Sequence, residues 1–292
     1  MDLKEAILYK QIEGLKVKCA VCNMRCTIPE GHRGLCGVRE NRGGKLYALN
    51  YGKTIAVNVD PIEKKPLYHF MPKTKIYSFA AVGCNFRCSW CQNWEISQSP
   101  KPNKRIEGIE ISPLEHVDRA IEYKCPSIAY TYSEPTIFLE YAFDTMKIAK
   151  EKGLKNVWVT NGYMSTETLD LIIPYLDATN VDYKGPNGGV YEKYCGGKPI
   201  HVLENLKYLY KAGVHLEITT LIVPGVNDKP DHLKQIAKFI AEELSKDVPW
   251  HISRFFPAWK MKDTIITPLE TLKTAEKIGQ EEGLTHIHIG NV

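Results

Sequence analysis

The sequence predicts an α/β protein: a partial, TIM-like (β/α)6 barrel over 71–292, preceded by a small irregular four-cysteine region over 1–70. Three observations predict this. From residue 75 onward, apolar runs of strand length alternate with amphipathic stretches of helix length, the pattern of βα units on a parallel sheet. No G-x-G-x-x-G follows any of these runs, so the dinucleotide fingerprint of a doubly wound sheet is absent, and six or more units favour a barrel. Before residue 75 the pattern is irregular and punctuated by cysteines, and 292 residues suit two domains.

The strands expected in order are Ile76–Val82, Ile128–Tyr132, Asn156–Thr160, Ala178–Tyr183, Val214–Val223, Trp250–Phe255 and His286–Ile289. The helices between them carry start and stop signals. Ser112-Pro113-Leu114-Glu115 and Thr267-Pro268-Leu269-Glu270 both read as capping boxes with Pro at the first helical position. Gly153, Gly213 and Gly283 stand where a left-handed C-terminal cap belongs, each just before a strand. Ahead of the barrel, 45–51 and 54–59 read as short β runs, and Pro61, Pro66 and Pro72 mark the exit.

Composition is that of a globular chain: 43% hydrophobic and 25% charged, with mean hydropathy −0.28. The nine cysteines are the unusual count. Their uneven spacing, the chain length and a charged N-terminus in place of a signal segment argue against a secreted disulfide scaffold. No apolar run approaches the ~18 residues that a membrane span needs. A reducing, cytoplasmic compartment is the expectation, where clustered cysteines serve as metal ligands. Between Asp60 and Arg105 eight basic residues face three acids, so the net charge of +4 concentrates there. That excess reads as a solvated loop face or as a field for an anionic cofactor or acidic partner.

Cys84-x3-Cys88-x2-Cys91 lies on the loop after the first expected barrel strand. In such barrels chemistry sits at the C-terminal strand ends. A cubane iron–sulfur cluster usually takes four cysteines. Three leave one iron open to chelate a small molecule through amine and carboxylate groups. The rival reading is a zinc site completed by a distant ligand such as His69 or Cys125.

This spacing, with Trp90 just before the third cysteine, resembles the radical S-adenosylmethionine (SAM) superfamily. Within it, Asn58-Val-Asp-Pro-Ile-Glu-Lys-Lys-Pro-Leu-Tyr-His69 and Cys91-Gln-Asn-Trp-Glu-Ile-Ser-Gln98 resemble the pyruvate formate-lyase activating enzyme branch, and more closely its AmmeMemoRadiSam group. The resemblance implies a [4Fe–4S] cluster on Cys84, Cys88 and Cys91 that reductively cleaves SAM. A 5′-deoxyadenosyl radical would then abstract hydrogen from a substrate. It also implies a one-electron donor such as a ferredoxin or flavodoxin.

The same resemblance assigns roles at the other strand ends. Ser133 and Glu134 stand where the family's Gly-Gly-Glu-Pro segment binds the SAM amino group, with only Glu-Pro retained; Ser133 also reads as a helix N-cap. Thr160-Asn161 match a Thr-Asn-Gly turn, but Val159 replaces the Asp that helps hold a monovalent cation. Asp182 would lie near SAM or a cation, and Lys184 would meet the SAM carboxylate. Thr219 would face SAM. His251 matches a family His near SAM, against a plain core reading. His286 and His288 share one strand face, as a metal pair or an ordinary strand end. Cys125 and Cys195 read as buried structural thiols.

Cys19-x2-Cys22-x3-Cys26-x9-Cys36 can complete a closed tetrahedral site. Structural zinc is the expectation, with an auxiliary iron–sulfur cluster relaying electrons as the alternative. The functional expectation is a radical SAM enzyme acting on a protein, as a glycyl-radical activase does. Its rivals are radical SAM modification of an RNA or small molecule, with the basic stretch Lys101–Arg105 keeping RNA open, and a non-catalytic iron–sulfur electron carrier. Family members often continue past the position of Gly290-Asn-Val292 into a tail with further cysteine pairs, so the chain reads as a shorter form or a piece of a longer one.

Overall fold

Each of the seven expected apolar runs forms a strand of one sheet. In chain order the sheet contains β1 (Ala56–Pro61), β2 (Lys75–Ala80), β3 (Ser127–Tyr130), β4 (Lys155–Thr160), β5 (Ala178–Asp182), β6 (His215–Ile222), β7 (Trp250–Arg254) and β8 (Ile287–Gly290). The computed structural model describes residues 3–103 and 105–292. Met1 and Asp2 of the charged N-terminus, and Lys104 of the basic stretch, lie outside the described residues. The strands lie side by side in chain order, parallel throughout except for the antiparallel β1–β2 pair. β1 and β8 are the two edges, so the barrel is partial. Seven parallel strands stand where six units were the minimum, and β1 falls within the stretch read as the N-terminal region.

Helices α1 (Pro113–Glu122), α2 (Leu139–Glu151), α3 (Thr166–Ile172), α4 (Pro199–Lys211), α5 (Pro230–Phe239) and α6 (Leu269–Glu281) fill the successive crossovers. The Ser112 capping box forms in full, with Ser112 and Glu115 bonding each other's backbone N–H. The expected Thr267 box does not. α6 starts at Leu269 behind Pro268, and Thr267 Oγ1 is instead buried, accepting from Phe255 N (3.1 Å) and donating to Ile222 O (2.6 Å). Two unpaired strand-end groups claim the hydroxyl first, since a buried polar group left unbonded costs ~1–3 kcal/mol. Gly153, Gly213 and Gly283 all take the expected left-handed backbone, at φ 78°, 77° and 88°. Gly279 lets α6 close on the sheet, since a Cβ there would sit 2.7 Å from Ile287 Cδ1 and 3.1 Å from the Trp250 ring.

Residues 3–54 form short antiparallel ribbons: Tyr9–Gln11, Val17–Cys19 and Thr27–Ile28 in one, Lys4–Glu5, Lys45–Ala48 and Arg39–Arg42 in another. This region is bound to the barrel by specific contacts. Arg39 reaches Glu140 of α2 through two hydrogen bonds (3.0 and 2.6 Å), both side chains being buried. Asn23 bonds Met164 O, Ser165 and Thr168 bond Val21 O, and Arg25 pairs with Glu167 at 2.6 Å. Among the described residues no helix is long and apolar enough to cross a membrane.

Candidate functional site

The loop after β2 carries the three closely spaced cysteines. It leaves the strand through Gly83, whose φ of 108° suits only glycine and whose added Cβ would strike Val38 at 2.7 Å. Its Phe86 carbonyl accepts from Gln98 Nε2 (3.1 Å) and Lys101 Nζ (2.7 Å). Ser89 O accepts from Lys260 N at 3.1 Å, tying in the loop after β7. The loop is thus held on both sides.

Cys84, Cys88 and Cys91 line one cavity of about 360 Å³ at the C-terminal ends of β2–β7. Trp90, Ser133, Glu134, Thr160, Asn161, Asp182, Lys184 and Thr219 line it as well, so these expected residues do converge. His251 does not line it. Its Nε2 lies 2.6 Å from Glu217 Oε2, deep in the sheet, which is the core reading of that histidine. Val159 is at the wall with no ligating atom.

The cavity wall carries several charged and hydrogen-bonding groups. Lys184 Nζ donates to Asp182 Oδ2 at 2.8 Å. Burial alone would lower the Lys184 pKa, but Asp182 and the neighbouring sulfurs of Cys88 and Cys195 outweigh it and hold the ammonium well above the ordinary lysine range. Glu134 does not offer its carboxylate to the cavity: it accepts from Thr160 Oγ1 (2.7 Å), Asn161 N (2.8 Å) and Thr136 N (3.0 Å). Burial raises its pKa against those bonds. Ser133 donates to Ala81 O at 2.6 Å rather than capping a helix; Glu134 is the cap of the short turn that follows. Thr219 Oγ1, buried at 7% exposure, has no partner among the described residues. A buried hydroxyl left unbonded at a cavity wall calls for a ligand.

The three thiols fit a cluster by their surroundings. Phe86 N donates to Cys84 Sγ (3.3 Å), Asn161 Nδ2 points at the same sulfur (3.8 Å), and Cys91 Sγ lies 3.4 Å from Ser97 Oγ. Such donors stabilise thiolate charge and tune an iron–sulfur centre. Burial pushes the Cys84 and Cys91 thiols up, and a metal centre would bind them as thiolates.

Cys19, Cys22, Cys26 and Cys36 also share one cavity, a closed one walled by Val21, Ile28, Leu35 and Ile137. Arg39 stands in its wall with Nε unpartnered among the described residues. Burial raises the Cys19 pKa to about 11 although Arg39 opposes the rise. Among the described residues no three His, Cys, Asp or Glu side chains are arranged to hold a single metal ion as they stand, so both cysteine sets are shared cavities rather than finished coordination spheres.

Three features escaped the sequence. Lys65, buried, reaches the cavity and bonds Asp60 Oδ2 (2.9 Å) and Tyr132 OH (3.1 Å); its signal lay in the Asn58–His69 stretch. Cys195, read as a core thiol, is buried beside Cys88 and pushes that thiol's pKa up, and two backbone bonds, Arg87 N to Cys195 O and Ser89 N to Tyr194 O, fasten the loop beside it. Below the cavity, Glu217 binds His215, His251 and the backbone N–H groups of Tyr68 and His69. Burial would raise its pKa, but those four bonds carry it far below the carboxylate range. His288 meets His69, their Nε2 atoms 2.8 Å apart, while the His286 ring packs on His69. Burial and the neighbouring His251 and His69 bring His288 down to about 4.

Comparison with known proteins converges on one family. Residues 80–240 match the radical SAM superfamily profile. The chain is 47% identical over 290 residues to the uncharacterized protein MJ0808 of Methanocaldococcus jannaschii, covering 99% of this chain and 86% of that one. It is 23% identical over 215 residues to the pyruvate formate-lyase-activating enzyme of Clostridium pasteurianum, covering 68% and 87%. Its fold is similar to that of Streptococcus suis SuiB bound to precursor peptide SuiA, at TM-score 0.56 and 13% identity over 71% of this chain and 46% of that one. With three cysteines on the first strand-end loop and a polar cavity before them, the chain belongs to the radical SAM superfamily and is a radical SAM enzyme.

Proposed function

We propose that this protein is a cytoplasmic radical SAM enzyme that abstracts a hydrogen atom from a protein or peptide substrate, in the manner of an activase. The observation that carries the reading is the single cavity in which Cys84, Cys88 and Cys91 face Asp182, Lys184 and the unpartnered Thr219 hydroxyl. When bound, a [4Fe–4S] cluster on those cysteines would supply the electron that cleaves SAM to methionine and a 5′-deoxyadenosyl radical.

The chain's own residues do the rest. Lys184, fixed by Asp182, would pair with the SAM carboxylate, and the Thr219 hydroxyl would donate a hydrogen bond to SAM. Glu134, already saturated by Thr160, Asn161 and Thr136, would hold the two turns in register. Trp90, 4% exposed, would shield the third cysteine from water. The four-cysteine pocket would hold structural zinc, and electrons would come from a ferredoxin or flavodoxin. The protein-directed reading draws on the activase relatives and on the peptide held by SuiB.

The test is deuterium transfer. The reconstituted protein is reduced with dithionite and incubated with SAM and deuterated proteome fractions separated from RNA and metabolites. Deuterium in 5′-deoxyadenosine from the protein fraction supports the reading. Deuterium only from the RNA or metabolite fractions overturns it.

A further inference from the structure

The cysteine loop has two faces. Cys84, Phe86 and Cys88 line the cavity described above. The intervening residues, Asn85 and Arg87, line a second cavity of about 470 Å³ on the other side. The loop thus divides its side chains between the two spaces.

The second cavity reaches both cysteine sets. Its wall includes Met24, Gly34, Leu35 and Asn85, which also wall the closed four-cysteine pocket. Asn85 Oδ1 lies 3.7 Å from Cys84 Sγ. Cys36 O is close enough to the loop that a Cβ on Gly83 would meet it at 3.2 Å.

The lining is cationic. It holds Arg33, Arg87 and Lys101 against one acid, Glu40, which Arg33 (2.8 Å) and Arg42 (2.6 Å) already bind. Arg87 is exposed and has no carboxylate partner among the described residues. Among the described residues Lys101 Nζ bonds the neutral Phe86 O and Gln98 Oε1, each at 2.7 Å, and no carboxylate. Asn85 Nδ2, on a side chain 4% exposed, has no partner among the described residues. Leu35, 59% exposed, stands at the rim directly before Cys36. Two cations with no carboxylate partner among the described residues, Arg87 and Lys101, beside an apolar knob fit an acidic protein surface, and steer its approach.

We propose that this cleft is the docking site of an acidic one-electron donor protein, which reaches the cysteine loop from the side opposite SAM and substrate. The proposal rests on the proposed function, which requires one electron per cleavage. The donor's reduced centre loses that electron and the chain's iron–sulfur centre gains it, with no bond made or broken in the transfer. Separate entrances let donor and substrate be bound together.

The test compares two reductants on the reconstituted full chain, following 5′-deoxyadenosine. One is a photoreduced, acidic flavodoxin; the other is dithionite. Arg87→Glu should lower kcat/KM for flavodoxin about tenfold or more relative to its own dithionite rate, and flatten its dependence on ionic strength. Leu35→Glu, remote from the cysteine loop in sequence, should act in the same direction. Unchanged flavodoxin kinetics in both variants overturns the proposal, as does equal loss with both reductants in both. So does loss of RNA binding with flavodoxin kinetics intact, which would make the cleft an RNA surface. Absence of product from the unaltered protein with dithionite would strike the proposed function instead, not the docking site.

Discussion

The two cysteine sets are chemically alike and environmentally opposite. Cys19, Cys22 and Cys36 are buried and Cys26 is half-buried around a small pocket lined by Val21, Ile28, Leu35 and Ile137, with one buried cation, Arg39, at its wall. Cys84, Cys88 and Cys91 are partly exposed at an open cavity whose other walls carry Asp182, Lys184 and Thr219. A closed apolar shell suits a group that holds the fold together, and an open polar one suits a group that must meet a ligand. On the proposed reading, the wall rather than the ligand type divides structure from chemistry. Loop connection follows the same line: the closed set sits on ribbons bolted to α2 and α3, the open set on a strand end that faces the barrel mouth.

Breaking the open set should have the largest effect. Cys88→Ala is expected to lose iron at that site and all 5′-deoxyadenosine above background, whereas Cys36→Ala should retain dithionite-driven product while melting earlier. Product from Cys88→Ala, measured by chromatography, would erase the distinction. Next is the wall of the closed set. Arg39→Met leaves Glu140 charged, buried and unpaired, and should cost about 3–5 kcal/mol in urea unfolding. Arg39→Met with Glu140→Leu should recover most of it; failure to recover would mean that the pair is not what seats the ribbons on α2. A smaller effect is expected at the open wall. Lys184→Met should raise the KM for SAM about tenfold, the loss of one charged hydrogen bond of ~1.5 kcal/mol, with iron content unchanged. A KM that does not move would take Lys184 out of SAM binding.

The smallest concerns the outer clasp of the closed region. Arg25 holds the Glu167 carboxyl at about 2, below its ordinary value. A depressed carboxyl contributes stability that is fully present above about pH 4.3, its ordinary value, and is lost as pH falls toward 2. The pair is partly exposed, so Glu167→Gln should cost no more than about 1 kcal/mol at neutral pH. The wild type should lose that margin between pH 4.3 and 2, and melting curves that keep it at low pH would contradict the clasp.

Much of the sheet was legible because its strands are near-continuous apolar runs, and a parallel sheet buried on both faces demands them. Asp182 and Lys184 were legible as neighbours on the cavity wall because strand-end position and two-residue spacing put them on one face. What stayed hidden depends on partners far apart in sequence. Nothing local tells that Arg39 meets Glu140, 101 residues on, or that Cys195 lies against Cys88. His251 matched a cofactor position, yet the register of β6 and β7 hands it to Glu217, and a buried carboxylate claims the nearest imidazole. Thr267 has the sequence of a capping box, but the end of β6 takes its hydroxyl. Local signals name the groups, and tertiary register decides their partners.

The most direct test of the account is reductive SAM cleavage by the intact protein. The chain is reconstituted anaerobically with iron and sulfide, reduced with dithionite and supplied with SAM. Equal amounts of methionine and 5′-deoxyadenosine, accumulating only when iron and sulfide are bound, are expected. Bound cluster with no 5′-deoxyadenosine, or product unaffected by removing the cluster, would contradict it.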